Sequence, residues 1–103
     1  MKLNIEERLT LMQVLPERGN FETMDTVDKL LSTLKLKEEE VKKYKFREEQ
    51  GRAYWDLSGN ERVELPVSKM GESFLIKCLE RLDKEEKLTP QMFQIFKRFR
   101  DLD

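Results

Sequence analysis

Residues 5–36, IEERLTLMQVLPERGNFETMDTVDKLLSTLKL, decide the fold: two apolar-striped helical segments meet at one punctuated turn. Asn4 stands before the first segment as a cap, and Glu7 follows three residues later as in a capping box. Ile5, Leu9, Met12 and Leu15 recur at four- and three-residue steps on one helical face, and Leu11 and Val14 widen it. Pro16 ends the helix, because the residue before a proline avoids the helical region. Gly19-Asn20 supplies the turn, both residues tolerating positive φ. Phe21 is then expected to anchor the two helices, with Thr23 capping the second and Asp25 in its first turn against the helix dipole. Met24, Val27, Leu30, Leu31 and Leu34 form the second helix's inward stripe.

Working toward the C-terminus, a short third helix is expected from Glu38 to about Tyr44. Acidic Glu38, Glu39 and Glu40 lie at its positive end and Lys42 and Lys43 at its negative end. Val41 and Tyr44 are its inward residues. The pattern changes at Lys45. Residues 46–48 and 52–57 read as short strands about Glu49-Gln50-Gly51, a connection of hairpin length with glycine. Ala53 and Trp55 share one strand face, Tyr54 and Asp56 the other. Ser58-Gly59-Asn60 is a turn, and residues 62–65 offer a third strand with Val63 and Leu65 inward. Pro66 or Ser68 opens a long helix striped by Val67, Met70, Phe74, Leu75, Cys78, Leu79 and Leu82. After the charged run 83–87, Thr89 caps a last helix with Pro90 in its first position. Phe93, Phe96 and Phe99 are its expected core residues, flanked by Met92 and Ile95.

The resulting expectation is one α+β domain: a helical hairpin plus a short helix, a small antiparallel hairpin or three-stranded sheet, and two C-terminal helices. A chain of 103 residues closes around one core. Charged residues make up 40% of it, yet 20 basic and 21 acidic side chains cancel to a net charge of −1. That balance argues against a general polyanion binder, which carries a clear basic excess. One cysteine and no histidine remove an internal disulfide framework and the commonest general base and borderline-metal ligand. No segment has the apolar run of a signal peptide or a membrane span. A cytoplasmic protein with no membrane partner is the expectation.

These elements carry a resemblance. Glu7-Arg8-Leu9, Val14-Leu15-Pro16, Gly19-Asn20-Phe21, the second-helix stripe, residues 36–40, Trp55 and the stretch from Leu82-Asp83 to Leu88-Thr89 are similar to those of a group of small uncharacterised proteins encoded by bacteriophages and prophages. The resemblance spans most of the chain. It implies a mobile-element origin and a bacterial host cytoplasm, and it carries no functional residue over.

Few side chains offer chemistry. Cys78 lies in the middle of an apolar stripe, in a chain with no histidine to activate a thiol, so core packing is its reading. Glu38, Glu39 and Glu40 splay around a helix axis, which suits dipole compensation better than a shared ion. No phosphate-binding loop or nucleophile elbow is present. Catalytic, cofactor-binding and metal roles are therefore assigned to no residue. A non-enzymatic protein-interaction module is the leading expectation, with Tyr54 and Trp55 on the hairpin and Lys97, Arg98 and Arg100 on the last helix as contact residues. Tyr44 belongs to the same aromatic group, and a homodimer through the end helix is compatible with this pattern. The alternative is a winged-helix DNA-binding regulator, since three helices followed by a hairpin is that topology. Lys37, Lys42, Lys43, Lys45, Arg47 and Arg52 are its phosphate contacts. Glu38, Glu39 and Glu40 oppose it by placing negative charge where that helix meets DNA.

Overall fold

Asn4 caps the first helix as its position implies: its side-chain oxygen accepts the Glu7 N–H at 2.8 Å, and the Glu7 carboxylate accepts the Asn4 N–H at 3.0 Å. The computed structural model describes residues 1–101. In it, β1 (Lys2–Leu3) leads into α1 (Ile5–Val14), followed by α2 (Phe21–Leu34) and α3 (Glu38–Lys43). The hairpin β2 (Arg47–Glu49) and β3 (Arg52–Tyr54) comes next, then a 3-10 turn at Leu57–Asn60 and β4 (Val63–Glu64). Two helices close the fold, α4 (Lys69–Lys84) and α5 (Pro90–Asp101). The architecture is α+β, with α1 packed against α2, α4 and α5.

The strands form two separate antiparallel pairs rather than one three-stranded sheet. The third strand turns away from the hairpin and pairs with β1, matching Lys2 with Glu64 and Leu3 with Val63. A two-residue strand has no periodicity to read, and its partner lies some sixty positions along the chain. Leu3 is fully buried as a result.

The core joins α1, α2, α4 and α5 through Leu11, Val14, Leu30, Leu34, Leu75, Leu79, Ile95 and Phe99. Cys78 is part of it, and burial pushes its thiol pKa up, with Arg81 acting in the opposite sense. A protonated thiol in an apolar contact is a packing residue.

Three apolar side chains expected inside lie outside. Phe21 is 88% exposed, so it does not bridge the helices. Asn20, not Thr23, is the cap of α2, its side-chain oxygen accepting the Thr23 N–H at 2.8 Å. Phe21 thereby becomes the first helical residue, on the face it shares with exposed Asp25, Asp28 and Ser32. Met70, 84% exposed, shares its face with exposed Ser73 and Lys77. Phe93 is 52% exposed, whereas Met92, Ile95, Phe96 and Phe99 are buried. Three-residue steps drift about 60° per step around a 3.6-residue helix, so a 93/96/99 triad cannot all face inward. The drift turns Phe93 toward exposed Lys97 and Arg100.

Candidate functional site

The ionisable groups with the strongest environments are committed to holding the fold. Arg8 is 2% exposed, on the buried face of α1. Its Nε donates to the Leu34 carbonyl at 2.8 Å and one terminal nitrogen donates to the Lys35 carbonyl at 3.0 Å. The same guanidinium grips Glu40 in a forked pair, at 2.7 and 3.2 Å. Glu40 also accepts the Lys37 N–H at 3.0 Å. One arginine therefore satisfies carbonyls at the α2 C-terminus, which no longer have helical partners, and fixes α3 beside them. The Arg8 hydrogen bonds hold the Glu40 carboxyl below its ordinary pKa, against opposition from burial.

Glu7 makes a second junction. Burial raises its pKa, but hydrogen bonds from Arg62, the Asn4 N–H and Arg98 together outweigh that and hold it low. Arg62 reaches both carboxylate oxygens at 3.1 and 3.2 Å, and Arg98 donates to Glu7 and, at 3.1 Å, to the Lys2 carbonyl. The start of α1, β1, the segment before β4 and α5 are tied at this carboxylate.

The hairpin is built differently. Gln50 and Gly51 have φ of 52° and 77°, the paired positive angles of a two-residue turn whose twist suits a hairpin. The register pairs Glu49 with Arg52, Glu48 with Ala53 and Arg47 with Tyr54. Lys45, at φ 53°, is an extra residue at the hairpin's base, beyond which Asp56 N–H donates to the Tyr44 carbonyl at 2.7 Å. Trp55 lies half-buried on the inner face, stacked on Phe46 at 6.3 Å between ring centroids and donating to the Asn60 side chain at 3.0 Å. Tyr54 lies on the outer face, 40% exposed, with the Arg47 guanidinium 5.1 Å from its ring centroid.

Beside β3 runs a groove of about 460 Å³ whose floor is α1, at Leu9, Thr10 and Gln13. Arg52, Ala53, Tyr54 and Trp55 all line it. Consecutive strand residues point to opposite faces, so four in a row border one cavity when that cavity follows the strand's edge. A smaller cavity of about 370 Å³ adjoins it and continues past Ala53 to Met12 and Leu31.

Of the residues expected to make contacts, Tyr54 and Trp55 come together on this groove. Trp55 is also a structural clamp of the hairpin. Arg98 sits in a neighbouring pocket that shares Glu6, Thr10 and Gln91 with the groove, its guanidinium occupied by Glu7. Arg100 lies 5.6 Å from the Phe96 ring centroid and lines a different cleft, between α4 and α5. Lys97 is exposed. Tyr44 is buried, with the Lys43 ammonium over its ring.

The residues of the DNA-binding alternative are all exposed: Lys37, Lys42, Lys43, Lys45, Arg47 and Arg52. The Lys37 ammonium donates to the Ser32 carbonyl and Arg47 pairs with Glu49. With Glu40 turned inward to Arg8, the outward side of α3 presents Glu38, Glu39, Lys42 and Lys43, two charges of each sign. The helix is six residues long, under two turns.

The buried role of Arg8 and the pairing of Glu7 with Arg62 and Arg98 escape a reading based on periodicity. An arginine within an apolar helix face was the available signal. Comparison with known protein families, with curated proteins and with solved structures finds no match to this chain. Among the described residues, no helix is long and apolar enough to cross a membrane.

Proposed function

We propose that this chain is a non-enzymatic protein-interaction module of phage or prophage origin, acting in the cytoplasm of a bacterial host. Its working surface is the groove-side edge of the hairpin. The observation that carries the reading is the pairing of an exposed aromatic, Tyr54, with a strand edge that borders an open groove. Tyrosine presents a large, rigid contact area with a polar end, which suits an interface anchor. The environments of Glu7 and Glu40 support it too, since both carboxylates are held ionised by arginines that bind elements together. The mechanism is steric or allosteric modulation of the protein that docks there.

Affinity capture from host lysate by wild type and by Tyr54→Ser tests it. A captured protein whose affinity falls tenfold or more in the variant, about 1.4 kcal/mol, is the expected result. Tight binding to duplex DNA that is weakened by Lys42→Glu with Lys43→Glu, and left unchanged by Tyr54→Ser, overturns it in favour of a nucleic-acid regulator. The balanced charge on α3 favours the first outcome, because phosphate binding grows with net positive charge.

A further inference from the structure

Within the hairpin, Arg52 and Tyr54 direct their backbone groups toward β2, because residues flanking a two-residue turn exchange hydrogen bonds and the pattern then alternates. Asp56 continues that inward set through its bond to Tyr44. Ala53 and Trp55 therefore turn their N–H and C=O groups outward, to an edge where no other strand of the described chain pairs. An open edge of this kind is a template for another strand.

The side chains on that edge have an order that matches itself. Residues 52–56 read Arg-Ala-Tyr-Trp-Asp. Laid antiparallel against an identical strand and centred on Tyr54, Arg52 stands opposite Asp56 of the second copy, and Asp56 opposite its Arg52. Tyr54 meets Tyr54 on the two-fold axis, and small Ala53 meets large Trp55. The backbone parity agrees: Ala53 and Trp55, the outward-facing residues, form the hydrogen-bonded pairs. Arg52–Asp56 and Tyr54–Tyr54 fall at non-hydrogen-bonded pairs, where side chains approach most closely. Arg52, Tyr54 and Asp56 are all exposed on one face. Arg47 has Glu49 as its ion-pair partner, whereas no ion pair within the described residues uses Arg52 or Asp56. Sliding the register by two residues to centre on Ala53 would set Arg52 against Tyr54 and leave Asp56 facing Gln50, with no cation opposite.

We infer that β3 pairs with β3 of a second copy of this chain, joining the two hairpins into a four-stranded antiparallel sheet with Arg52 and Asp56 exchanged across the two-fold axis. The inference rests on the reading of the hairpin edge as the interaction surface and makes a second copy its occupant. A short strand pair of this kind falls among the interfaces below ~1,200 Å² that form weak, transient complexes. The expected Kd therefore lies between the micromolar and millimolar levels, on the order of 100 µM.

Sedimentation equilibrium on the full chain tests it across concentrations spanning that Kd. Wild type is expected to shift from monomer to dimer mass. Arg52→Asp and Asp56→Arg each replace two attractive pairs by two like-charge pairs, so each should raise the Kd about tenfold or more. An equimolar mixture of the two variants should associate again. One chain then carries a carboxylate at both positions and the other a guanidinium at both, so each cross-axis pair joins opposite charges. The double variant Arg52→Asp with Asp56→Arg should dimerise like wild type, and it carries the test if a single variant alters the melting curve. A wild-type chain that stays monomeric at about ten times that Kd overturns the inference, as does a dimer indifferent to both reversals or a mixture that fails to associate. A monomeric wild type that still loses its lysate partner on Tyr54→Ser overturns the self-pairing alone and leaves the hairpin as a docking surface for another protein.

Discussion

Replacing Arg8 by methionine should unfold the junction between α1, α2 and α3 more than any single leucine-to-alanine change at their surface. Methionine keeps most of the length of the side chain, so the loss is chiefly of polar contacts. Four hydrogen bonds disappear, two to carbonyls at the end of α2 and two to Glu40. Removing one partner of a buried ion pair costs about 3–5 kcal/mol, because the other charge is left desolvated. Glu40 remains 24% exposed and keeps its bond from Lys37 N–H, so water recovers part of that penalty. The expected loss is therefore near the lower bound, about 3 kcal/mol, a large share of the roughly 5–15 kcal/mol that stabilises a typical domain. At about 4–8 °C per kcal/mol for a domain of this size, the melting temperature should fall by roughly 12–24 °C. Urea unfolding followed by circular dichroism gives the free energy directly. Glu40→Gln and the double variant complete a cycle, whose coupling should be about 1–3 kcal/mol. A loss below about 1 kcal/mol for Arg8→Met, or additive single effects, would refute the assignment of Arg8 as the buried tie between these helices.

Other consequences are open to measurement. Glu7 and Glu40 have folded pKa values below the ordinary carboxylate range, so their contribution is complete above the unfolded value of about 4.3 and is lost as pH falls through the folded pKa. The urea midpoint should drop across that acid window, and Glu7→Gln or Glu40→Gln should flatten the drop; a wild-type midpoint constant down to about pH 3 contradicts this. A Cβ at Gly59 would lie 2.5 Å from the Ile5 Cδ1 and 2.8 Å from the Trp55 Cδ1. Gly59→Ala should cost about 1–3 kcal/mol and shift Trp55 fluorescence, unless the hairpin is not seated on that turn. Phe96→Ala should cost about 3–5 kcal/mol, whereas Phe21→Ser should stay within about 0.5 kcal/mol, and equal effects in denaturant would show the burial pattern to be wrong.

The candidate site was legible in part. Tyr54 and Trp55 stood out as aromatics on a hairpin, and the alternation that put them on opposite faces holds, with Tyr54 exposed and Trp55 half-buried. Arg98 stood out only as a cation beside an apolar stripe. Its engagement with Glu7 depends on α5 packing against α1 across ninety residues of chain, which no local pattern encodes. The groove itself is a relation between β3 and α1, far apart in sequence, and Trp55, which lines it, is stacked on Phe46 and hydrogen-bonded to Asn60.

Local forces wrote the helices into the sequence. Asn4 with Glu7, Pro16, Ser68 and Thr89 with Pro90 each act within one turn of their own position, so these caps and stops are readable residue by residue. Asn20, by contrast, reads as a turn residue and instead caps α2 in place of Thr23. The turn at Gln50-Gly51 is local in the same way, through its two positive φ angles. Tertiary structure decided what each face meets. It sent β4 to β1 instead of to the hairpin, left Phe21, Met70 and Phe93 in solvent, and drew Arg8 into the core. The physical reason is that a 3.6-residue period defines an apolar arc without fixing its centre. An arginine can occupy the centre of that arc when distant carbonyls and a carboxylate converge to satisfy it.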